Sequence, residues 1–226
     1  ETKFYLSIFG SLHKNHFNGV NFNRFTFNDI LFQIDHLCTK LHLNPNECRF
    51  VNLEYGFNLL VRFSPIEYLK ENLLNYRGNQ FYRFAPGNNN ISIGYYCPTT
   101  QYRLKIYDKS LQHNKAQHLL RIENSYKKMA IPNRMGIRTL ADLTNPGLLQ
   151  KLQNELLRTW QQVLLFDVTA VQNPALPEKD KLFLHACKDH NFWKGFKNKR
   201  STRQKKKERY LSLLLKYGSN INVHSE

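Results

Sequence analysis

The chain has 226 residues and carries 33 Lys and Arg against 17 Asp and Glu, a formal net charge of +16. That length allows one substantial domain, or a domain with an appendage, and enough chain to bury a real core. Its 41% hydrophobic and 13% aromatic content excludes wholesale disorder, and so positive a charge points to a polyanionic partner, most often nucleic acid.

No run approaches the roughly eighteen apolar residues of a membrane span, and no signal peptide is visible. A soluble, cytoplasmic protein is expected, with no membrane partner. The first residue is Glu1 rather than methionine, which leaves room for a removed leader or preceding domain. Cys38, Cys48, Cys97 and Cys187 are widely separated, with no CxxC pair. That spacing argues against a zinc ribbon or a dithiol redox site, and four buried or half-buried reduced thiols are expected.

Phe4 to Phe9 reads as a short strand closed by Gly10-Ser11, and Asn15 to Asn23 has loop composition. Phe27 to Leu43 has helical spacing, with Ile30, Leu31, Ile34, Leu37, Cys38 and Leu41 on one face; Asn44-Pro45 stops it. Arg49 to Phe63 alternates with period two, as a strand does. Ser64 and Pro65 predict a helix start, with helix over Ile66 to Leu74. Pro86 to Asn90 is a turn, Ile91 to Tyr96 and Gln101 to Tyr107 are strands of a hairpin or meander, and Leu119 to Asn124 is one more strand.

After about Lys127 the texture becomes helical, over Thr139 to Leu143, Gly147 to Phe166 and Asp180 to Ala186. Lys194 to Arg209 has nine Lys or Arg in sixteen residues, and the apolar Tyr210 to Tyr217 comes next, ended by Gly218. The order predicts an α+β fold, an antiparallel β-sheet backed by helices and followed by a helical C-terminal appendage. The expected division is 1–130 for the sheet domain and 131–226 for a helical and basic appendage.

Strand alternation sorts the side chains. Val51, Leu53, Tyr55 and Phe57 share one face, and Asn52, Glu54, Gly56 and Asn58 the other. Tyr102, Leu104, Ile106 and Asp108 oppose Arg103, Lys105, Tyr107 and Lys109. Leu120 and Ile122 face the core, while Arg121 and Glu123 face away. A single sheet made of these strands would gather two carboxylates, a tyrosine and four cations on its polar face. Such a set suits phosphodiester transfer. Carboxylate oxygen holds hard divalent cations such as Mg2+ or Mn2+, a tyrosine hydroxyl can form a covalent intermediate, and nearby cations hold phosphate and favour the phenolate. The plainer reading is that Glu54 and Glu123 pair with Lys or Arg on an exposed sheet face, and that Tyr107 is a half-buried strand tyrosine.

Three blocks, Asn52-Leu53-Glu54-Tyr55-Gly56-Phe57-Asn58, Leu104-Lys105-Ile106-Tyr107-Asp108-Lys109-Ser110-Leu111 and Leu119-Leu120-Arg121-Ile122-Glu123, resemble a series found in one family. It is that of the replication initiators of the filamentous-phage gene II protein type and related rolling-circle plasmid initiators. The run from Lys127-Lys128-Met129 through Gly136-Ile137 to Leu140-Ala141-Asp142-Leu143 resembles the stretch after the third block in those initiators, so the likeness covers roughly residues 3 to 145. It implies a relaxase-like fold and a metal-dependent tyrosine nickase that cuts and recloses one DNA strand at an origin, freeing a 3′ hydroxyl for a polymerase. Tyr107 would become linked to the 5′ end, Glu54 and Glu123 would be metal carboxylates, and Lys109 would stabilise phosphate or phenolate.

The wider superfamily presents a His-hydrophobe-His pair to the metal. This chain has no such triplet, and His13 is the nearest candidate ligand, with His16 beside it. Arg103, Lys105 and Arg121 on the sheet, and Lys199, Arg200, Arg203, Lys205, Lys206 and Lys207 in the basic run, are the expected DNA contacts, the latter tracking the backbone without reading bases. Origin DNA, single-stranded or hairpin, is the expected partner, with a host helicase or polymerase beside it and a homodimer allowed. Two other readings stay open: a DNA-binding protein without chemistry, and a mobilisation relaxase or transposase using the same tyrosine chemistry.

Overall fold

The computed structural model describes residues 6–86, 92–113, 117–196 and 198–219. In chain order they form α1 (Leu12–His16), α2 (Phe27–Leu41), β1 (Leu53–Leu60), α3 (Pro65–Asn72), β2 (Leu73–Tyr76), β3 (Asn79–Gln80), β4 (Tyr82–Arg83), β5 (Gly94–Pro98), β6 (Tyr102–Asp108) and α4 (Lys109–His113). Next come β7 (Leu119–Tyr126), α5 (Ala130–Met135), a 3-10 turn (Leu140–Thr144), α6 (Pro146–Trp160), β8 (Val163–Leu165), α7 (Val168–Gln172), α8 (Glu178–Lys188), α9 (His190–Lys194) and α10 (Arg200–Tyr217). The fold is α+β, as expected, with two antiparallel sheets backed by helices and a helical C-terminal region. Among the described residues no helix is long and apolar enough to cross a membrane.

The chain forms two compact units, each from two stretches: Glu1–Leu53 with Tyr126–Asn154, and Glu54–Ser125 with Glu155–Glu226. The two units interleave along the sequence. In the first unit α2 starts at a reciprocal cap: Thr26 Oγ1 accepts from Asp29 N at 3.3 Å, and Asp29 Oδ2 accepts from Thr26 N at 2.6 Å. It ends where His42 takes a left-handed conformation. Thr139 and Asp142 repeat the device at the 3-10 turn.

The second unit holds both sheets. One has the order β1-β7-β6-β5-β4 and the other β3-β2-β8. β5 and β6 pair with Gly94 opposite Tyr107, Tyr96 opposite Lys105 and Pro98 opposite Arg103, and β4 sets Tyr82 opposite Tyr96. On one face of the larger sheet Leu104, Ile106, Leu120 and Ile122 are fully buried, and α3 packs on β5 and β6. On the same face Tyr102 meets Tyr76 of β2, hydroxyl to hydroxyl at 2.5 Å. A second core gathers Leu164, Phe166, Leu184, Cys187, Trp193 and Tyr210. Tyr210 donates to the Leu165 carbonyl at 2.7 Å and so ties α10 to β8. Trp193 and Phe192 therefore pack against the body of the protein.

Several local expectations change. Leu6 to Phe9 is not a strand, and Leu6 and Phe9 are exposed; Phe4 and Tyr5 lie outside the described residues. Asn15 and His16 belong to α1 rather than to a loop. The helix expected over Ile66 to Leu74 gives way at Leu73 to β2, and that expected over Gly147 to Phe166 stops at Trp160, with Val163–Leu165 as β8. β2 and β8 pair with each other, so these apolar ends are claimed by a sheet, which local periodicity cannot foresee. Ser64 sits at the cap of α3, but its side chain makes no capping bond. The turn expected at Pro86 to Asn90 and the start of the strand at Ile91 fall largely outside the described residues. All four cysteines are free, two buried and two half-buried.

Two glycines let the polar face close. A Cβ on Gly56 would overlap Ile122 O and Glu123 Cβ, and one on Gly94 would overlap Ile106 O and Tyr107 Cβ. Each stands against a residue of the expected site. Gly56→Ala and Gly94→Ala are each expected to lower the unfolding free energy by roughly 1–3 kcal/mol, the range for forcing extra atoms into a packed site. Urea unfolding curves measure it, and unchanged midpoints would disprove the close approach.

Candidate active site on a sheet face

The larger sheet brings Glu54 from β1, Lys105 and Tyr107 from β6, and Arg121 and Glu123 from β7 onto one face. Lys105 Nζ lies between the two carboxylates, 2.5 Å from Glu54 Oε2 and 2.8 Å from Glu123 Oε1. Arg121 donates through Nε to Glu123 Oε2 at 2.7 Å and through Nη1 to Asn58 Oδ1 at 3.0 Å. Tyr107 Oη donates to the same Glu123 oxygen at 3.2 Å. Strand parity thus gives the pairing the plainer reading expected, but in a far drier place. The Glu123 side chain is only 3% exposed and Tyr107 6%, while Glu54 at 46% forms the open edge.

Burial alone would raise the Glu123 carboxyl, but Arg121 and Lys105 hold it down to about 2. Lys105 is likewise lowered by burial, and Glu123 and Glu54 outweigh that and hold it above its usual range. Tyr107 departs from expectation. Burial and the Glu123 charge push its phenol well up, and Arg121 opposes them only in part. The cations beside it are spent on the carboxylates, so the resting site does not favour phenolate.

The other expected residues spread outward. Lys109 opens α4, fully buried; its Nζ donates to Gln112 Oε1 at 2.7 Å and lies 5.7 Å from the centre of the Tyr107 ring. Arg103 stacks over Tyr96 at 4.5 Å. Tyr96 in turn stacks with Tyr82 at 5.8 Å and Phe84 at 5.7 Å, and Phe84 meets the edge of Tyr107 at 5.9 Å. This aromatic row was not anticipated, although Tyr82-x-Phe84 and Tyr95-Tyr96 on alternating strands were a readable signal. His13 belongs to α1 in the first unit, stacked on Phe25 at 4.7 Å, and His16 contacts Asp29 at 3.4 Å.

The basic run is ordered helix from Arg200 onward, with Lys199 at its cap. Lys199, Arg200 and Lys205 are exposed, whereas Arg203, Lys206 and Lys207 are half-buried. Lys206 lies 5.6 Å from the Phe183 ring, and Arg203 donates to the Arg77 carbonyl at 2.8 Å.

Comparison with protein-family models, with curated proteins and with solved structures gave no match for this chain. The chemistry of the site therefore rests on its own geometry.

That geometry does not fit a divalent cation as it stands. The ammonium of Lys105 fills the space between the two carboxylates. Lys105 and Arg121 already balance them, and the described residues bring no third His, Cys, Asp or Glu to the group. Among the protein's own groups, Glu123 is the natural acceptor for the Tyr107 proton, and Lys105 and Arg121 are the charges available to an incoming anion.

The depressed Glu123 carboxyl has a consequence for stability. A folded value near 2 against an ordinary 4.5 corresponds to on the order of 3 kcal/mol, present above about pH 4.5 and lost as pH falls through about 2. Glu123→Gln should therefore destabilise the protein most at neutral pH, with the gap to wild type closing as pH is lowered below 4. Urea unfolding at stepped pH measures this; a gap constant with pH would mean that the ion cluster is not what the substitution breaks.

Proposed function

We propose that this protein is a tyrosine-dependent DNA strand-transfer enzyme of the rolling-circle initiator type, with Tyr107 as nucleophile and the sheet face of β1, β7 and β6 as its active site. The observation that carries this reading is the hydrogen bond from Tyr107 Oη to Glu123 Oε2, made within a cluster that also holds Lys105 and Arg121. A phosphodiester suits that cluster, because it is the anion that can exchange places with Glu123. As a phosphate draws Lys105 and Arg121 toward its non-bridging oxygens, Glu123 loses the cations that depress its carboxyl and becomes a better base. The phenol then gives its proton to Glu123 Oε2 while Oη bonds to phosphorus. The P–O3′ bond breaks, the 3′ oxygen takes a proton from water, and the 5′ phosphate stays on Tyr107. Reversal by a 3′ hydroxyl recloses the strand. Lys105 and Arg121 supply the positive charge that this transfer needs, and no step is assigned to Mg2+ or Mn2+.

A second reading, a DNA-binding module without chemistry, is favoured by a different observation. The row Tyr82, Tyr96 and Phe84 with Arg103 upon it is suited to stacking bases whether or not a bond is cut.

A randomised single-stranded oligodeoxynucleotide pool labelled at its 3′ end separates the two. The full chain should form a denaturation-resistant adduct carrying the label, and Tyr107→Phe should lose that adduct by at least about a thousandfold while binding stays within about threefold. An adduct retained in Tyr107→Phe would remove Tyr107 as nucleophile. Binding without any wild-type adduct, with EDTA, Mg2+ or Mn2+ present, would leave the binding module.

A further inference from the structure

The hairpin between β2 and β3 turns through two residues, Arg77 and Gly78, both with positive φ (+54° and +80°). A two-residue loop of this hand matches the twist of the strands, though a bulky arginine is an uncommon occupant. The turn abuts α10. Arg203 packs against Gly78 and donates to the Arg77 carbonyl at 2.8 Å, so a Cβ on Gly78 would stand 3.2 Å from Arg203 Nη1. Lys207 lies one helical turn beyond Arg203, on the same face. Asn75, Arg77, Arg203 and Lys207 line a notch of ≈ 30 Å³.

Three features of this notch ask for an anion. Among the described residues, no carboxylate pairs with Arg77, Arg203 or Lys207, although carboxylates claim Lys105, Arg121 and Arg209 elsewhere in the unit. Lys207 is half-buried, and burial together with the charges of Arg77 and Arg203 pushes its amine below the usual range, a repulsion the fold leaves uncompensated. Asn75 is 1% exposed; its Oδ1 accepts from Gly78 N at 2.9 Å, and its Nδ2 is buried without a hydrogen-bond partner. An unsatisfied buried donor in the lining of a notch that also holds three cations is the complement of an oxyanion.

We propose that the Arg77–Gly78 turn and α10 form a binding notch for one phosphate group, with Asn75, Arg77, Arg203 and Lys207 as its donors. The notch has room for about one water-sized atom, so a single phosphate oxygen enters while phosphorus stays at the mouth against the exposed Arg77. That depth suits a phosphodiester, which can present one non-bridging oxygen inward and keep its two ester arms in solvent. The notch lies outside the Tyr107 cluster and needs none of its chemistry, so it is tested in the Tyr107→Phe background, where strand cutting is absent.

The first probe is inorganic phosphate at constant ionic strength, balanced with chloride. The melting temperature of the full chain should rise with phosphate. Lys207→Met should do two things a merely structural lysine would not: raise the melting temperature in phosphate-free buffer, because a repulsion is gone, and diminish the rise with phosphate, leaving only what the Lys105 and Arg121 cluster contributes. Arg203→Gln should also diminish the response, and serves if Lys207→Met folds poorly. A phosphate response undiminished in both variants would overturn the proposal. The second probe, a single-stranded oligodeoxynucleotide, identifies the source of the phosphate. If the notch takes a backbone phosphate, Lys207→Met reduces the slope of log affinity against log salt by about 0.7. An unchanged slope with a diminished phosphate response assigns the notch to a free phosphate or a small phosphorylated ligand.

Discussion

The buried carboxylate of Glu123 sets the terms for the sheet face around it. A charge with almost no access to water survives only if cations and donors surround it, and Lys105, Arg121 and Tyr107 converge on its two oxygens. Those partners come from β6 and β7, while β1 contributes Glu54 to the far side of Lys105 and Asn58 to the far side of Arg121. Any slip of one residue in the register of these strands would send their side chains to the opposite face and leave the carboxylate bare. The glycines of β1 and β5 belong to the same constraint, since they leave space beside Glu123 and Tyr107 where any side chain would intrude.

A cluster so well balanced is also quiet. Two carboxylates face two cations, and the phenol beside them is held protonated by burial and by the neighbouring negative charge. Reactivity in such a place has to come from the substrate. An incoming phosphate would compete with Glu123 for Lys105 and Arg121, and in doing so shift the carboxyl and the phenol in opposite directions, each toward proton transfer. The same balance leaves the cluster contributing little to the +16 of the chain. Part of the excess positive charge sits on α10 and the hairpin turn it packs against, where no carboxylate among the described residues answers Arg77, Arg203 or Lys207.

Much of this was legible in the residues. The period-two alternation of Val51 to Asn58, Tyr102 to Lys109 and Leu120 to Glu123 told which side chains share a face, because alternation is a property of the strand itself. The capping box at Thr26 and Asp29 and the Pro65 start of α3 are local for the same reason. What resisted reading was long-range. Leu73, Leu74 and Val163 to Leu165 continue helical patterns on paper but belong to strands that pair about ninety residues apart, and Leu6 to Phe9 looks like a strand yet is exposed and unpaired with any described strand.

The sequence by itself determined the α+β class, the polar face and the membership of Glu54, Lys105, Tyr107, Arg121 and Glu123 in it, since each comes from backbone period and residue type. Only the tertiary structure decided the protonation of Tyr107 and the employment of its neighbouring cations. Those depend on burial and on distances of two to three ångströms between strands, which no spacing along the chain encodes. It also decided that the basic run is not simply a solvated tail. Half of that helix leans on the second core and on a strained hairpin turn, because an apolar anchor at Tyr210 and the carbonyl of Arg77 hold it there.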